Sequence, residues 1–211
     1  MSAANGLRLS VDQTNNKGIP IMKTSLLALG LLATLPFAAS AAEGLSYNYV
    51  EGGYIKTDAS GGDADGWAVK GSYAIHPNFT VFGDFDRQKT DLADVKVDQW
   101  RIGLGYNHEI ATSTDLVTRV AYQRFDPEFG TTLNGYSAEV GVRTAFNPYF
   151  EVYALGGYED YAKKNGINRE GEFYGRLGAQ AKLNQNWGLS ADVKMNRDGD
   201  KTWFVGPRFS W

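Results

Sequence analysis

The feature that most constrains this chain is an alternation of apolar residues that continues to its last position. Every second residue is apolar from Trp187 to Met195 and again from Trp203 to Trp211, and a polar turn at 197–200 separates the two runs. Side chains on a β-strand point to opposite faces with a period of two, so each run predicts a strand with one apolar face. Aromatic residues stand near the strand ends. This combination predicts a transmembrane β-barrel with lipid outside and a polar lumen inside.

The same pattern recurs along the chain and predicts an all-β, closed antiparallel barrel of ten strands, with eight as the alternative. Short turns at 76–78, 108–113 and 147–148 alternate with longer polar loops such as 57–65 and 160–171. Outer-membrane barrels place short turns in the periplasm and long loops outside. An open sheet edge in lipid would leave backbone groups without partners, so we expect the sheet to close.

The first strand, at about residues 45–56, does not settle into one frame. Tyr47 and Tyr49 share a face with Glu51, whereas Tyr54 lies on the opposite face. A β-bulge at Gly52–Gly53 would switch the faces, and both frames stay open. Aromatic residues near strand ends are interpreted as membrane-interface residues. This set is Tyr47, Tyr49, Trp67, Trp100, Tyr106, Tyr136, Tyr158, Trp187 and Trp203.

The inward positions of the predicted strands carry charges of both signs in nearly equal number. Charges away from bulk water are costly unless they are paired, so we expect a cross-linked polar core. A narrow water-filled channel with the same lining is the alternative. The predicted luminal charge network is Asp84, Arg101, Arg119, Glu139, Arg143, Glu151, Arg176, Asp192 and Arg208. Lys70, Asp86, Glu159 and Lys194 also point inward, and Phe82, Tyr153, Tyr174 and Phe204 would help to fill the interior.

The N-terminal region has the composition of a targeting segment. Lys23 precedes an apolar run at 26–37, and small residues follow with Ala39 and Ala41 two positions apart. This is the pattern of a secretory signal peptide, and the run is too short to span a bilayer as a helix. We predict cleavage between Ala41 and Ala42. The chain is thus divided into an extension from a start assigned too far upstream (1–21), a signal peptide (22–41) and an outer-membrane barrel (42–211).

The composition argues against most other kinds of chemistry. A net charge of −3 without a basic cluster indicates no nucleic-acid partner, and the absence of Cys excludes thiolate metal sites. The chain has two histidines, His76 and His108, and both fall at the short-turn end. An outward-facing hydrolytic site would therefore lack a base. Asp84 and Asp86 share an inward face and are interpreted as partners of luminal arginines, so we expect no enzyme activity, no metal and no cofactor.

The C-terminal strand resembles the signal that the outer-membrane assembly machinery reads in bacterial barrels. Such strands end on an aromatic residue preceded by apolar residues at alternating positions, and here Phe209 and Trp211 fill these positions. Pro207 lies on the same face. Because proline has no N–H, we expect it where the neighbouring strand makes no bond, or at a bulge near the first strand.

Four stretches resemble a known family: 45–54, 61–67, 140–149 and 203–211. They are similar to the small outer-membrane barrels of xanthomonads, in the style of OmpX and OmpA, a family once described as a quorum-sensing factor and activator of rice immunity. The similarity covers essentially all of 22–211. It implies a Gram-negative outer-membrane and vesicle protein linked to biofilm, motility and virulence, with no catalytic residues to transfer.

Three functional hypotheses follow for a barrel of this kind. The first is a structural and surface-interaction protein, a monomer whose loops meet lipid, lipopolysaccharide, other cells or host surfaces. The second is a narrow channel for small solutes. The third is the quorum-sensing or immune-elicitor signal that the resemblance implies, although release of a signal from the first strand would open the sheet in lipid.

Overall fold

The structure, a computed structural model, describes residues 44–91, 94–163 and 170–211, which form a closed antiparallel barrel. In chain order the strands are β1 (Tyr49–Asp58), β2 (Ala64–His76), β3 (Phe79–Thr90), β4 (Lys96–Ala111), β5 (Thr114–Pro127), β6 (Leu133–Asn147), β7 (Phe150–Tyr161), β8 (Glu172–Lys182), β9 (Trp187–Asn196) and β10 (Lys201–Ser210). Each strand pairs with its neighbours in sequence, and β1 pairs with β10 to close the sheet. The predicted ten-stranded barrel is confirmed. No helix among the described residues is long and apolar enough to cross a membrane.

Several strands run further than the apolar pattern predicts. β4 continues to Ala111, so the connection predicted at 108–113 shrinks to Thr112 and Ser113. Backbone pairing does not depend on apolar side chains, and the ladder therefore continues through polar pairs such as Glu109 and Asp115. Between β9 and β10, Gly199 has a φ of +92°, a conformation that glycine adopts without steric cost.

The outward face of the barrel is an apolar band between two rings of aromatic residues. At the end that carries the longer loops, ring contacts of 4.9–5.5 Å join Trp67 to Phe85, Trp100 to Tyr122, Tyr122 to Tyr136, and Tyr158 to Phe173. At the short-turn end, contacts of 5.1–5.2 Å join Phe79 to Tyr106 and Trp187 to Phe209. By the rule for outer-membrane barrels, the long-loop end is called the outer end and the short-turn end the periplasmic end.

The structure shows which residues of the first strand face the lumen, and it contradicts the predicted interface role of Tyr47 and Tyr49. The strand begins at Tyr49, and residues 44–48 precede it. Tyr47 and Tyr49 are only 5% and 8% exposed, because they point into the lumen together with Glu51, while Tyr54 points to lipid. The interface interpretation of Tyr47 and Tyr49 was therefore wrong. Their aromatic character gave no information about the face, since luminal and interfacial tyrosines look alike in sequence.

The glycines of β1 allow a close approach to β10 rather than a bulge. Glu51 pairs with Arg208 and Tyr54 with Val205, so the register is the same on both sides of Gly52–Gly53. A Cβ atom on Gly53 would lie 2.1 Å from the carbonyl oxygen of Val205, which only glycine avoids. In this register Pro207 stands opposite Gly52, where the ladder is interrupted and an N–H is not required.

Candidate functional site in the barrel lumen

The centre of the lumen is organised around one buried carboxylate, Glu139 of β6, which is 4% exposed. Arg101 of β4 donates from Nη1 to Oε1 of Glu139 at 3.1 Å, and the hydroxyl of Tyr174 of β8 donates to the same oxygen at 2.9 Å. Arg119 and Arg176 approach the carboxylate at 3.9 Å and 3.8 Å. Arg101 and Arg176 belong to β4 and β8, which do not neighbour β6 in the sheet, so these contacts join non-adjacent strands through the lumen.

A second group of charges lies behind the junction of the first and last strands. Arg208 of β10 donates from Nε to Oε2 of Glu51 of β1 at 2.5 Å, and Ser190 of β9 donates to the same oxygen at 2.8 Å. Lys70 of β2 forms an ion pair with Asp192 and lies 3.8 Å from Glu51. The barrel is thus closed twice at this junction, by backbone pairing and by a buried ion pair across the same two strands.

A third group lies toward the periplasmic end. Arg143 of β6 donates from Nε to Oε2 of Glu151 of β7 at 2.8 Å, and Nζ of Lys182 lies 3.2 Å from Oε1 of the same carboxylate. The side chains of Arg143 and Glu151 are 5% and 3% exposed. The guanidinium of Arg143 also stands 4.8 Å from the ring centre of Tyr47. Pairing and the aromatic ring together compensate for the lost hydration of these charges.

The segment before the first strand closes the periplasmic end of the lumen. Tyr47 packs against Val117 and Leu155, and its hydroxyl donates to Oδ2 of Asp115 at 2.8 Å. Asp115 is fully buried. Nζ of Lys182 donates to the carbonyl of Gly44 at 2.5 Å, which holds the start of the segment against the barrel. Tyr47 therefore acts as a plug with an apolar side and one charged hydrogen-bond partner.

The outer half of the lumen is more open. A cavity of about 110 Å³ lies there, lined by charged, amide and aromatic side chains that include Asp86, Gln88, Gln99, Gln123, Lys194 and Phe204. Nζ of Lys194 contacts both carboxylate oxygens of Glu159 at 2.7 Å, and the Lys194 side chain is 24% exposed. The Asp86 carboxylate accepts a hydrogen bond from Gln88 at 2.9 Å and faces this cavity.

Luminal aromatic side chains fill the interior by lying over glycines of the neighbouring strand. A Cβ atom on Gly157 would lie 2.4 Å from the ring of Tyr174, and one on Gly178 would lie 2.3 Å from the ring of Tyr153. Tyrosine and glycine are direct partners in the β7–β8 register in both cases. Each of these glycines therefore leaves the space that the tyrosine ring of the neighbouring strand fills.

The structure brings most of the predicted luminal residues into contact. Arg101 donates from Nε to Asp84 at 2.8 Å and from Nη1 to Glu139. Arg143 pairs with Glu151. Arg119 has the longest contact, and it stands 5.4 Å from the ring centre of Phe82. Asp192 pairs with Lys70, while Nε of Arg176 is 3.6 Å from its Oδ1. Which cation meets which carboxylate depends on the stagger of the strands, and the period of two does not encode it.

Glu51, Asp115 and Tyr47 are among the luminal residues that were missing from the predicted network. Glu51 and Asp115 alternate with the outward residues Val50 and Leu116, so parity along the strand was the signal that could have found them. Tyr47 lies before β1 and has the parity of Glu51, but the open frame of the first strand left its face undecided.

The residues predicted for targeting lie elsewhere. The rings of Phe209 and Trp211 face outward with centres 6.1 Å apart, and the backbone N–H of Trp211 donates to the carbonyl of Asn48 at 3.2 Å. The predicted cleavage point between Ala41 and Ala42 lies outside the described residues.

The described residues contain no group of three or more side chains suited to hold a metal ion. His76 and His108 belong to β2 and β4, and the His76 ring packs against Phe79 with centres 5.8 Å apart at the periplasmic end. Asp84 is engaged by Arg101. The geometry of the lumen is suited to cross-linking strands through ion pairs between their inward side chains.

Comparison with known proteins gave one family and several barrels of similar fold. A family profile described as "Outer membrane protein beta-barrel domain" matches residues 24–202. Neisserial surface protein A is 18% identical over 79% of this chain and 98% of its own, with a TM-score of 0.43. The KdgM porin is 11% identical over 77% of this chain and 99% of its own, with a TM-score of 0.41. Ail of Yersinia pestis is 16% identical over 78% and 97%, with a TM-score of 0.37. No curated protein sequence matches.

Proposed function

Because the chain belongs to the family of outer-membrane β-barrel domains and is located in the outer membrane of a Gram-negative bacterium, we propose that it is a non-enzymatic barrel with a closed lumen and interacting outer loops. The observation that carries this proposal is that side chains obstruct the interior at two levels. Glu139 and its arginines cross-link the middle of the lumen, and Tyr47 occupies its periplasmic end. Such a barrel serves the cell through its outer surface.

The outer loops supply the proposed contact surface. Charged residues of both signs are exposed there, for example Lys89 and Asp94, whose ion pair has side chains 54% and 80% exposed. Contacts with lipopolysaccharide, other cells or host surfaces fit this arrangement, with the protein acting as a monomer. The resemblance to xanthomonad barrels adds roles in biofilm, motility and virulence to this proposal.

Single-channel recording in planar bilayers tests the closed lumen. The refolded protein is expected to give no stable ohmic steps, because ion pairs around Glu139 cross the middle of the lumen. Reproducible steps from the wild-type protein would overturn the proposal.

A narrow channel is the second candidate, and the cavity of about 110 Å³ at the outer end is the observation in its favour. If the lumen conducts, Tyr47 is its periplasmic constriction. Tyr47→Ala would then increase the conductance, whereas Tyr73→Ala, which alters a lipid-facing tyrosine, would leave it unchanged. If the lumen is closed, neither variant gives conductance steps.

The C-terminal residue carries a separate proposal, that Trp211 contributes to recognition by the assembly machinery. Loss of one interfacial aromatic side chain costs only about 1.5–3 kcal/mol of burial. Deletion of Trp211 is therefore expected to leave refolding in detergent intact while the protein disappears from the outer membrane. Normal membrane levels of the truncated protein would contradict a targeting role.

A further inference from the structure

A groove crosses the lipid-facing surface of β7, β8 and β9. Its floor is formed by Ala154, Ala179 and Ala191, and its volume is about 580 Å³. Ala179 and Ala191 are direct partners in the β8–β9 register, so the small residues form a continuous depression. The larger side chains along its border are Tyr54, Val152, Leu177, Val193, Trp203 and Val205.

The groove runs obliquely toward the outer end of the barrel. At its lower end lies Val152, close to the start of β7, and at its upper end lies Trp203, close to the start of β10. The indole Nε1 of Trp203 donates to Oδ2 of Asp58, the last residue of β1, at 3.1 Å. The upper mouth is therefore at the membrane boundary, where lipid head groups begin.

Two lysines stand on the outward face above this mouth. Lys56 is the register partner of Trp203, and Lys201 lies two residues before Trp203 on the same face of β10. Nζ of Lys56 is shared between Asp58 at 2.6 Å and Asp63 at 3.5 Å. Lys201 stands opposite Asp58 in the β1–β10 register. Because the Asp58 carboxylate is already held by Lys56 and Trp203, the charge of Lys201 can also attract an anion at the head-group level.

We propose that this groove holds an acyl chain of a phosphorylated glycolipid of the outer leaflet, with a lipid phosphate at Lys201. A concave surface is not complementary to itself, which a two-fold dimer would require, whereas a flexible hydrocarbon chain conforms to it. The residues that line the lower end include no cation, so a phospholipid of the inner leaflet lacks a head-group partner there. This inference rests on the proposed surface role and extends its lipopolysaccharide contact from the loops to the barrel wall.

Filling the groove tests the acyl-chain site. The refolded barrel is titrated with diphosphorylated lipid A in detergent, and bound lipid is counted by native mass spectrometry. Ala191→Phe is expected to weaken binding about tenfold, the effect of losing contact with about two methylene groups. Ala138→Phe is the matched control, since Ala138 is exposed on the lipid face of β6 outside the groove. Equal binding by Ala191→Phe and the wild-type protein, with both folded by gel mobility, would overturn the site.

The head-group contact has its own test. Lys201→Gln is expected to weaken lipid A binding about fivefold, in line with about one charge contact near a membrane surface, while Lys96→Gln on β4 has no effect. Dephosphorylated lipid A should bind the wild-type protein as weakly as lipid A binds Lys201→Gln. Phosphatidylglycerol binding as tightly as lipid A would overturn the choice of ligand. A conducting lumen would contradict the proposed function while leaving these lipid measurements unchanged.

Discussion

Each end of the lumen contains a cation paired with a carboxylate, but the two pairs differ in how far their side chains are exposed to solvent. At the periplasmic end the side chains of Arg143 and Glu151 are 5% and 3% exposed. At the outer end the side chains of Lys194 and Glu159 are 24% and 7% exposed, beside a cavity of about 110 Å³. The shortest N···O distances of the two pairs are 2.6 Å and 2.7 Å, so the pairs differ mainly in what surrounds them.

We infer that the free-energy cost of breaking an ion pair in this barrel rises as the exposure of the pair to water falls. A charge left alone in a dry site has no water to replace its partner. A charge beside a hydrated cavity is resolvated, and its pair contributes little. Tyr47, Val117 and Leu155 supply the apolar wall that makes the periplasmic end dry.

The largest effect is expected at the periplasmic ion pair. Arg143→Ala removes the buried partner of Glu151 and is expected to lower the free energy of unfolding by about 3–5 kcal/mol. Urea unfolding in detergent, followed by tryptophan fluorescence, measures the change, with the outer-loop variant Lys163→Ala as control. Adding Glu151→Gln to Arg143→Ala should recover part of the loss, because the buried charge is then removed. Equal unfolding midpoints for Arg143→Ala and Lys163→Ala would show that water reaches both ends.

The barrel itself could be predicted from the sequence because lipid and lumen impose opposite polarity on alternate residues. That rule places Tyr136 and Arg101 on their correct faces without any knowledge of the partner strands. It carries no information about contacts across the lumen, where Arg101 reaches Glu139 two strands away. The alternation rule also applies only within strands, and Tyr47 precedes β1, so the plug that Tyr47 forms was not predicted.

An intermediate effect is expected at the plug. Tyr47→Phe keeps the ring against Val117 but removes the hydrogen bond to Asp115, and it should lower the free energy of unfolding by about 1.5–3 kcal/mol, as for a bond to a charged group. Tyr73→Phe is the control, because Tyr73 is 55% exposed on the lipid face. A change no larger than that of the control would indicate that water enters beside Tyr47, and the periplasmic end would then resemble the outer end.

The smallest effect is expected at the outer ion pair. Lys194→Ala should lower the free energy of unfolding by about 1 kcal/mol, since the side chain is partly exposed and Glu159 keeps the amide of Gln123 at 3.3 Å. The size of the loss should also depend on salt. Ions that reach the outer cavity screen the pair in the wild-type protein, so 0.5 M NaCl should shrink the difference between Lys194→Ala and wild type. The deficit of Arg143→Ala should stay the same in salt, because buried pairs are screened much less. A loss of about 3 kcal/mol for Lys194→Ala, insensitive to salt, would mean that the outer half is as dry as the periplasmic half and that the cavity excludes solvent.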